Sequence, residues 1–525
     1  MTAKKYLAMA FLVAVLAVLV SPLEVYARNN MRTGRYMGFS GGISEGRRLP
    51  GTTETIILEQ GARRPNARNA MILAYREIVF LGGRPQLFEG ILEIRAGAPA
   101  PDSVAGTFTV EHRIRPHAGA PAGAVSINRT MIFTVSYRRM GDSQINFHYE
   151  VNPATWRETV TVNGTTYTLD HARSSFVVSI LEDQTPGVSY FAGNVSARMF
   201  FTGGPDGITI VEQHGRIYGF TSAWSATETH RLNFSVTNDN WALTYQVRPS
   251  VTVNKVLQFE RNEPFAISFE GNFREQHQSF AGLRYDIFIM PQFMILEGIP
   301  TSGTHSIETF NVFEQLFAPD LTHLRGHSAE DDIHRLFAME ILTGDTRFFV
   351  PEQGMTRGQF MTALARAIKL PVQDAAQARP RRGAPEPTPR FSDVPFDRPE
   401  YRYIQAIVDA GVAQGREGGT FHFDYLISRQ EAITTIVRAL GLTNIGLNPT
   451  VVTPFVDSDD IASWAIRNVS VANMLGIISP DENGFLHPKR AISNAEAATL
   501  LNRLIDYLRE GIVRDYADYI VNTVV

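Results

Sequence analysis

The chain has 525 residues, enough for three or four domains, with the 44% apolar content of ordinary folded protein. Its net charge of −4 argues against nucleic acid as a partner, and the absence of cysteine excludes disulfides and thiolate metal sites.

Residues 1–27 are laid out like a secretory signal. Lys4 and Lys5 supply the positive start, Tyr6 to Val20 is apolar, Ser21-Pro22 breaks the run, and Val25-Tyr26-Ala27 is a small-x-small cleavage site. The apolar run is shorter than the roughly 20 residues that span a bilayer, so cleavage is expected and no transmembrane segment remains. An exported chain without cysteine must hold its domains together by burial alone.

Within residues 28–105, rich in Gly, Arg and Pro, Gly38-Phe39-Ser40-Gly41-Gly42 fits G-x-S-x-G. No strand precedes it and no helix follows, so a glycine-rich loop is expected rather than a nucleophile elbow. From about 75 to 295 the pattern is β. Phe133, Val135 and Tyr137 alternate, as do Phe147, Tyr149 and Val151, then Phe265, Ile267 and Phe269, then Leu283, Tyr285, Ile287 and Ile289. Val160 and Val162 lead through Asn163-Gly164 to Tyr167 and Leu169, a hairpin with a type I′ turn. Leu232, Phe234 and Val236 lead through Asn238-Asp239-Asn240 to Trp241, Leu243, Tyr245 and Val247. The spacing predicts an all-β antiparallel region over 28–300, whether sandwich, barrel or meander. Residues 301–317 read as a connector, and the proline- and arginine-rich 371–390 as a linker.

Three stretches near the C-terminus share one design: Thr356-Arg357-Gly358-Gln359, Ser428-Arg429-Gln430-Glu431 and Ser493-Asn494-Ala495-Glu496. A Ser or Thr three residues ahead of Glu or Gln is a capping box. Five, eight and twelve residues beyond each cap stand Met361, Leu364 and Ile368; Ile433, Ile436 and Leu440; and Ala498, Leu501 and Ile505, one helix face each. Upstream, Ile333, Leu336 and Ile341 match Ile404, Ile407 and Val412, and Val469, Ala472 and Ile477, with Glu340, Gly411 and Gly476 as helix stops. The aromatic of each intervening loop is Phe349, Phe421 or Phe485. Each unit is therefore helix, loop and capped helix, too small to bury its own apolar face, so the three must pack together.

These residues resemble the S-layer homology family, whose pattern runs F-x-D-V, H-W-A, G-T-F-x-P and T-R-A-E. Phe391-Ser392-Asp393-Val394 and Phe455-Val456-Asp457 match the opening, and His327-Ser328-Ala329 and Ser463-Trp464-Ala465 match the second element in part. Gly419-Thr420-Phe421, Phe349-Val350-Pro351 and Phe485-Leu486-His487-Pro488 match the loop, and Thr356-Arg357 and Ser428-Arg429 the last motif. The resemblance gives repeats at 318–370, 391–442 and 455–508, leaving 509–525 as a tail. It implies an all-α pseudo-threefold bundle whose grooves bind pyruvylated secondary cell-wall polysaccharide linked to peptidoglycan. Other surface-layer proteins would be further partners.

Arg357 and Arg429 sit in a first helical turn, where the macrodipole disfavours a cation unless an anion accompanies it. A sugar-borne carboxylate would suit their bidentate guanidinium, with first-turn amides as extra donors; a salt bridge to Asp393 or Asp457 is the structural alternative. The expected ligand-binding set is Arg429, Arg357, Ser428, Thr356, Glu431, Gln359, Asp393, Asp457, Trp464, Ser493 and Asn494. Asn494 in place of arginine implies a weak or absent third site. Trp464 suits a sugar face or the core equally.

No catalytic residue, cofactor or metal is expected. The 13 histidines form no H-E-x-x-H, and Asp457-Ser458-Asp459-Asp460 reads as a helix cap rather than a Ca²⁺ loop. The first expectation is a non-enzymatic surface protein whose β region is displayed for binding or for surface-layer assembly. The alternative is an anchored polysaccharide-active enzyme with its carboxylate pair on distant strands.

Overall fold

The computed structural model describes residues 39–44, 70–97, 103–117, 124–141, 143–260, 272–307, 312–316, 319–372, 389–443 and 453–516. The expected signal, Gly38, the strand at Phe265–Phe269 and most of the 371–390 linker lie outside the described residues.

The N-terminal part is one antiparallel sheet of 16 strands. They are β1 Ile43–Ser44, β2 Ala70–Val79, β3 Gln86–Ala96, β4 Ala105–Arg115, β5 Val125–Met140, β6 Gln144–Val151, β7 Arg157–Val162 and β8 Thr165–Leu169. The second half comprises β9 Ser175–Gln184, β10 Val188–Gly204, β11 Gly207–Ser222, β12 Ser225–Thr237, β13 Ala242–Glu260, β14 Asn272–Ile289, β15 Ser302–Ile307 and β16 Val312–Gln315. Neighbours run β1 to β6, then β9 to β15. The β7–β8 hairpin lies end to end with β6–β9, bridging the first half of β5 to the far end of β10. Its turn has Asn163 and Gly164 at φ 49° and 84°, as a type I′ turn requires.

Alternation drives this architecture: successive side chains point to opposite faces, and the apolar set goes inward. Phe133, Val135, Phe147, Tyr149, Val160, Leu243, Val247 and Leu283 are all buried in one core. The two ends of the sheet meet around that core: β1 touches β13, β14 and β15, β2 touches β15, and Arg76 donates to the Ser306 carbonyl. Phe39 is fully buried inside, its ring 5.5 Å from Phe133, and Gln213 Nε2 donates 2.6 Å to its carbonyl. Ser40 therefore belongs to an interior segment and bonds Tyr75 and Glu77, not to a strand-to-helix elbow.

Two expectations about the β region need correction. Residues 302–307 and 312–315 are no connector, because β15 and β16 both pair with β14. Their core-facing positions carry few large apolar residues, so alternation gave no signal there. The apolar alternation on β14 ends before Ile289, which is exposed.

A short helix, α1 (Gln292–Leu296), follows β14. The repeats supply α2 (Glu330–Ala338) and α3 (Arg357–Ala367), α4 (Tyr401–Asp409) and α5 (Arg429–Ala439), and α6 (Ile466–Met474) and α7 (Asn494–Asp506). Every apolar residue of the three aligned face trios is buried. The first helices end as expected, with Glu340, Gly411 and Gly476 at φ 56°, 73° and 71°. Ile341, Val412 and Ile477 then return their amides to Leu336, Ile407 and Ala472. The aromatic register slips in the third repeat: Leu486, not Phe485, is buried seven residues before the cap, while Phe485 stacks on His487.

Packing runs between repeats. Helix α3 lies on α4, α5 on α6, and α7 on α2. At the centre, Met355 N donates to Ile492 O, Ile492 N to Ile427 O, and Ile427 N to Met355 O, closing a ring.

The opposite end of the capped helices meets the β region. Gly187 N donates 2.7 Å to Ala439 O, Trp224 Nε1 2.7 Å to Ala367 O, and Ser225 Oγ 2.5 Å to Leu508 O. Carbonyls that a helix C-terminus leaves unpaired thus find donors on β-hairpin tips. Residues 509–516 are not a free tail: a π-type turn (Tyr507–Gly511) and α8 (Ile512–Asp515) carry Arg509 onto Lys255 O at 2.7 Å and Tyr516 onto Phe191 O at 3.1 Å. No helix among the described residues is long and apolar enough to cross a membrane.

Candidate functional site

Of the expected ligand-binding residues, Thr356, Arg357, Gln359, Ser428, Arg429, Glu431, Ser493 and Asn494 lie at the N-terminal ends of α3, α5 and α7, away from the β region. Asp393 and Asp457 lie in loops, and Trp464 just before α6. A helix of 11 residues such as α3 separates the two ends by about 16 Å.

The helix starts are closed. First-turn amides of Arg357 and Gly358 donate to Tyr425 O and Phe423 O; those of Arg429 and Gln430 to Arg490 O and Pro488 O; those of Asn494 and Ala495 to Gln353 O and Pro351 O. Each helix thereby caps itself on the loop of the next repeat, and the expectation that these amides add donors for an anion is overturned. Capping boxes complete two of the starts. Thr356 Oγ1 accepts from Gln359 N at 3.2 Å, and Ser493 Oγ from Glu496 N at 3.2 Å, with the reciprocal bonds present. Ser428 makes no such bond, so the expected third box is absent. Its partner Glu431 is engaged elsewhere.

Glu431 takes two guanidiniums on Oε1: Arg357 from the preceding repeat and Arg416 at 2.9 Å from its own. Glu496 does the same with Arg429 at 3.0 Å and with Arg490. The motif arginines are thus in salt bridges, but to the glutamates of the next repeat rather than to Asp393 or Asp457. Arg357 is buried, donates 2.6 Å to Gln414 O and lies 4.6 Å from the Phe421 ring. Burial pulls the Arg357 and Arg429 guanidiniums below their ordinary value, opposed by the glutamates. At Glu496, burial works upward, but bonds from Arg490 and the Ser493 amide hold the carboxyl low. In the third interface Asn494 Nδ2 donates 2.9 Å to Val350 O, and Gln359 replaces the glutamate. Cation and anion are lost there together.

Asp393 and Asp457 are loop staples. Asp393 accepts from Phe421 N at 2.7 Å and Phe423 N at 2.9 Å; Asp457 accepts from Leu486 N at 2.9 Å and His487 N at 2.7 Å. Asp457 precedes a 3₁₀ turn, yet its side chain makes no cap bond to it. Trp464 is half exposed, which removes the core reading and leaves its ring open to solvent.

An open groove of about 480 Å³ runs between the first two repeats, with Thr356 and Gln359 on one wall and Pro395, Arg398, Glu400, Phe423 and Asp424 on the other. Arg398 lies 4.0 Å from the Phe423 ring. Phe423 in turn packs on Gly358, where any side chain would strike the ring. Sequence reasoning missed Arg398, Arg416 and Arg490 as functional candidates. No motif marks the last two, and they reach their glutamates from unlike positions.

Glu275, His277 and Glu314 place ligand-type atoms within 4.8 Å of one another. Glu275 already receives Lys255 Nζ and His277 Nε2, both at 2.8 Å, so this group reads as an ion-pair network where the β region meets the repeats.

The S-layer homology domain profile matches residues 320–361, 390–433 and 454–498. The chain is 27% identical over 178 residues to an endoglucanase of Bacillus sp. (strain KSM-635), covering 33% of this chain and 17% of that protein. It is 26% identical over 221 residues to exoglucanase XynX of Acetivibrio thermocellus, covering 41% of this chain and 18% of that one. It is 28% identical over 177 residues to S-layer protein EA1 of Bacillus anthracis, covering 34% and 19%. The chain thus spans under a fifth of each of these relatives. With the repeats in place and their motifs accounted for, residues 320–498 of this chain are three S-layer homology domains.

Proposed function

We propose that the three domains form a pseudo-threefold bundle that anchors an exported protein to the cell wall by binding secondary cell-wall polysaccharide, pyruvylated where it meets the arginines. The β region is then held at the cell surface for binding or for surface-layer assembly. The observation that carries this reading is the cyclic inter-repeat closure, with a groove between the first two repeats and cationic side chains at the end of the bundle that faces away from the β region. The domains dock on hairpin tips through their helix C-termini, so the end that carries these arginines points away from the β region. Co-sedimentation of the full chain with isolated sacculi tests it. Binding that falls when the ketals are removed by mild acid supports the reading; no co-sedimentation, or binding indifferent to acid treatment, refutes it.

A second reading is an anchored glycan-active enzyme, favoured by the names of two relatives, an endoglucanase and an exoglucanase. Inside the β region, Glu77 and Glu158 are two buried carboxylates, both bonded to Arg129. A glycan panel scored for reducing-sugar release decides this reading.

A further inference from the structure

We propose that Arg416 and Arg490 are the anion-contacting residues of two inter-repeat sites, each taking a sugar that bears a carboxylate or phosphate, while Arg357 and Arg429 brace them from behind. This deepens the anchoring reading and rests on it only for the identity of the polymer. One carboxylate oxygen of Glu431 serves both Arg357 and Arg416, and one of Glu496 serves both Arg429 and Arg490. Each triad therefore holds two cations against one anion and keeps a net positive charge.

The inner arginine already neutralises the glutamate, so the outer one is surplus to the fold. It is also accessible: the side chains of Arg416 and Arg490 are 50% and 48% exposed, against 6% for Arg357. Apart from its glutamate, the outer guanidinium has no protein acceptor among the described residues. Other nearby acids are occupied. Asp393 is taken by two amides, and Asp481 by the amides of Asn483 and Phe485 and by His487.

The two outer arginines are not equivalent in sequence. Arg490 stands three residues before the cap Ser493, where the second repeat has Tyr425; Arg416 stands four beyond Val412, where the third repeat has Asp481. The same surplus guanidinium is built twice by different routes. At the third interface every corresponding position lacks a cation: Asn494, Gln359, Gln353 and Asp345. Two anion sites follow, not three. Since the helix amides are consumed by neighbouring loops, the guanidinium must supply the recognition, and its planar fork matches a carboxylate or phosphate.

Affinity electrophoresis of the full chain through polygalacturonate, a phosphomannan and neutral dextran tests this. The parent should be retarded by at least one anionic polymer and not by dextran, and which one separates carboxylate from phosphate. Arg416→Gln with Arg490→Gln should lower that affinity by about tenfold or more with an unchanged Tm, because both side chains are half exposed. The lysine pair at the same positions should regain part of it. A parent held back by neither anionic polymer, or a double glutamine variant that binds like the parent, overturns the proposal. Retardation without co-sedimentation on sacculi keeps the two sites and removes the wall-anchoring reading.

Discussion

The indole Nε1 of Trp224 donates 2.7 Å to the carbonyl of Ala367, joining a β-hairpin tip to the last turn of the first repeat's capped helix. Trp224 is fully buried and shares one apolar core with residues of all three repeats. Lys255 and Lys369 lie 5.8 Å and 5.1 Å from its ring. The β region and the S-layer homology domains are thus one packed body.

Removing that indole should separate the two parts energetically. Trp224→Ala leaves a large cavity and an unpaired carbonyl, a loss of about 3–5 kcal/mol. Calorimetry should show one unfolding transition for the parent and two for the variant. A single transition at the parent's temperature would mean that the docking contributes nothing.

The neutral third interface can be recharged. Asn494→Arg alone should destabilise, since it abandons the bond to Val350 O and places a cation at a helix N-terminus. Combined with Gln359→Glu it recreates the pairing seen at Arg429 and Glu496. A double-mutant cycle in urea should give a favourable coupling of about 1 kcal/mol or more. Strict additivity would show that the paired loss of charge has no structural meaning.

The repeats could be read from the sequence because each local signal agreed with the global packing. Cap, face trio and left-handed stop recur at fixed offsets, and Met361, Ile436 and Leu501 are all fully buried. What could not be read was which groups satisfy one another across repeats. Glu431 looked like a capping glutamate, yet its Oε1 takes two guanidiniums from Arg357 and Arg416, and Ser428 makes no side-chain cap bond. The β boundary was missed because Gly303, Thr304, His305 and Ser306 carry no apolar alternation, although they pair with β14. Arg416 and Arg490 left no trace because contacts over unlike spacings have no periodicity to detect.

The loop staples should be acid-sensitive. Burial alone would raise the Asp393 carboxyl, but the amides of Phe421 and Phe423 outweigh it and hold the group low. A depressed carboxylate contributes stability above its unfolded value, and that contribution is lost as pH falls through the folded value. Asp393→Asn should cost about 1–2 kcal/mol at neutral pH. The gap between parent and variant should close on titration from pH ~5 toward pH ~2. A gap that stays constant would mean the amides do not depend on the charge.

Lys255 gives the opposite dependence. It is fully buried; burial first, and the nearby Lys369 charge second, bring its ammonium down to about 7. Between that value and the ordinary lysine value near 10.4, the unfolded chain binds more protons than the folded one, so stability rises with pH. The Tm of the parent should therefore climb from pH ~7 to ~9, below the range where tyrosines titrate. Lys255→Met removes the titrating group, while His277 still bonds Glu275, so the variant should lose most of that climb. If both proteins showed the same slope, the ammonium would be charged in the folded state, and the contact between the β region and the repeats would contain a true Lys255–Glu275 ion pair throughout.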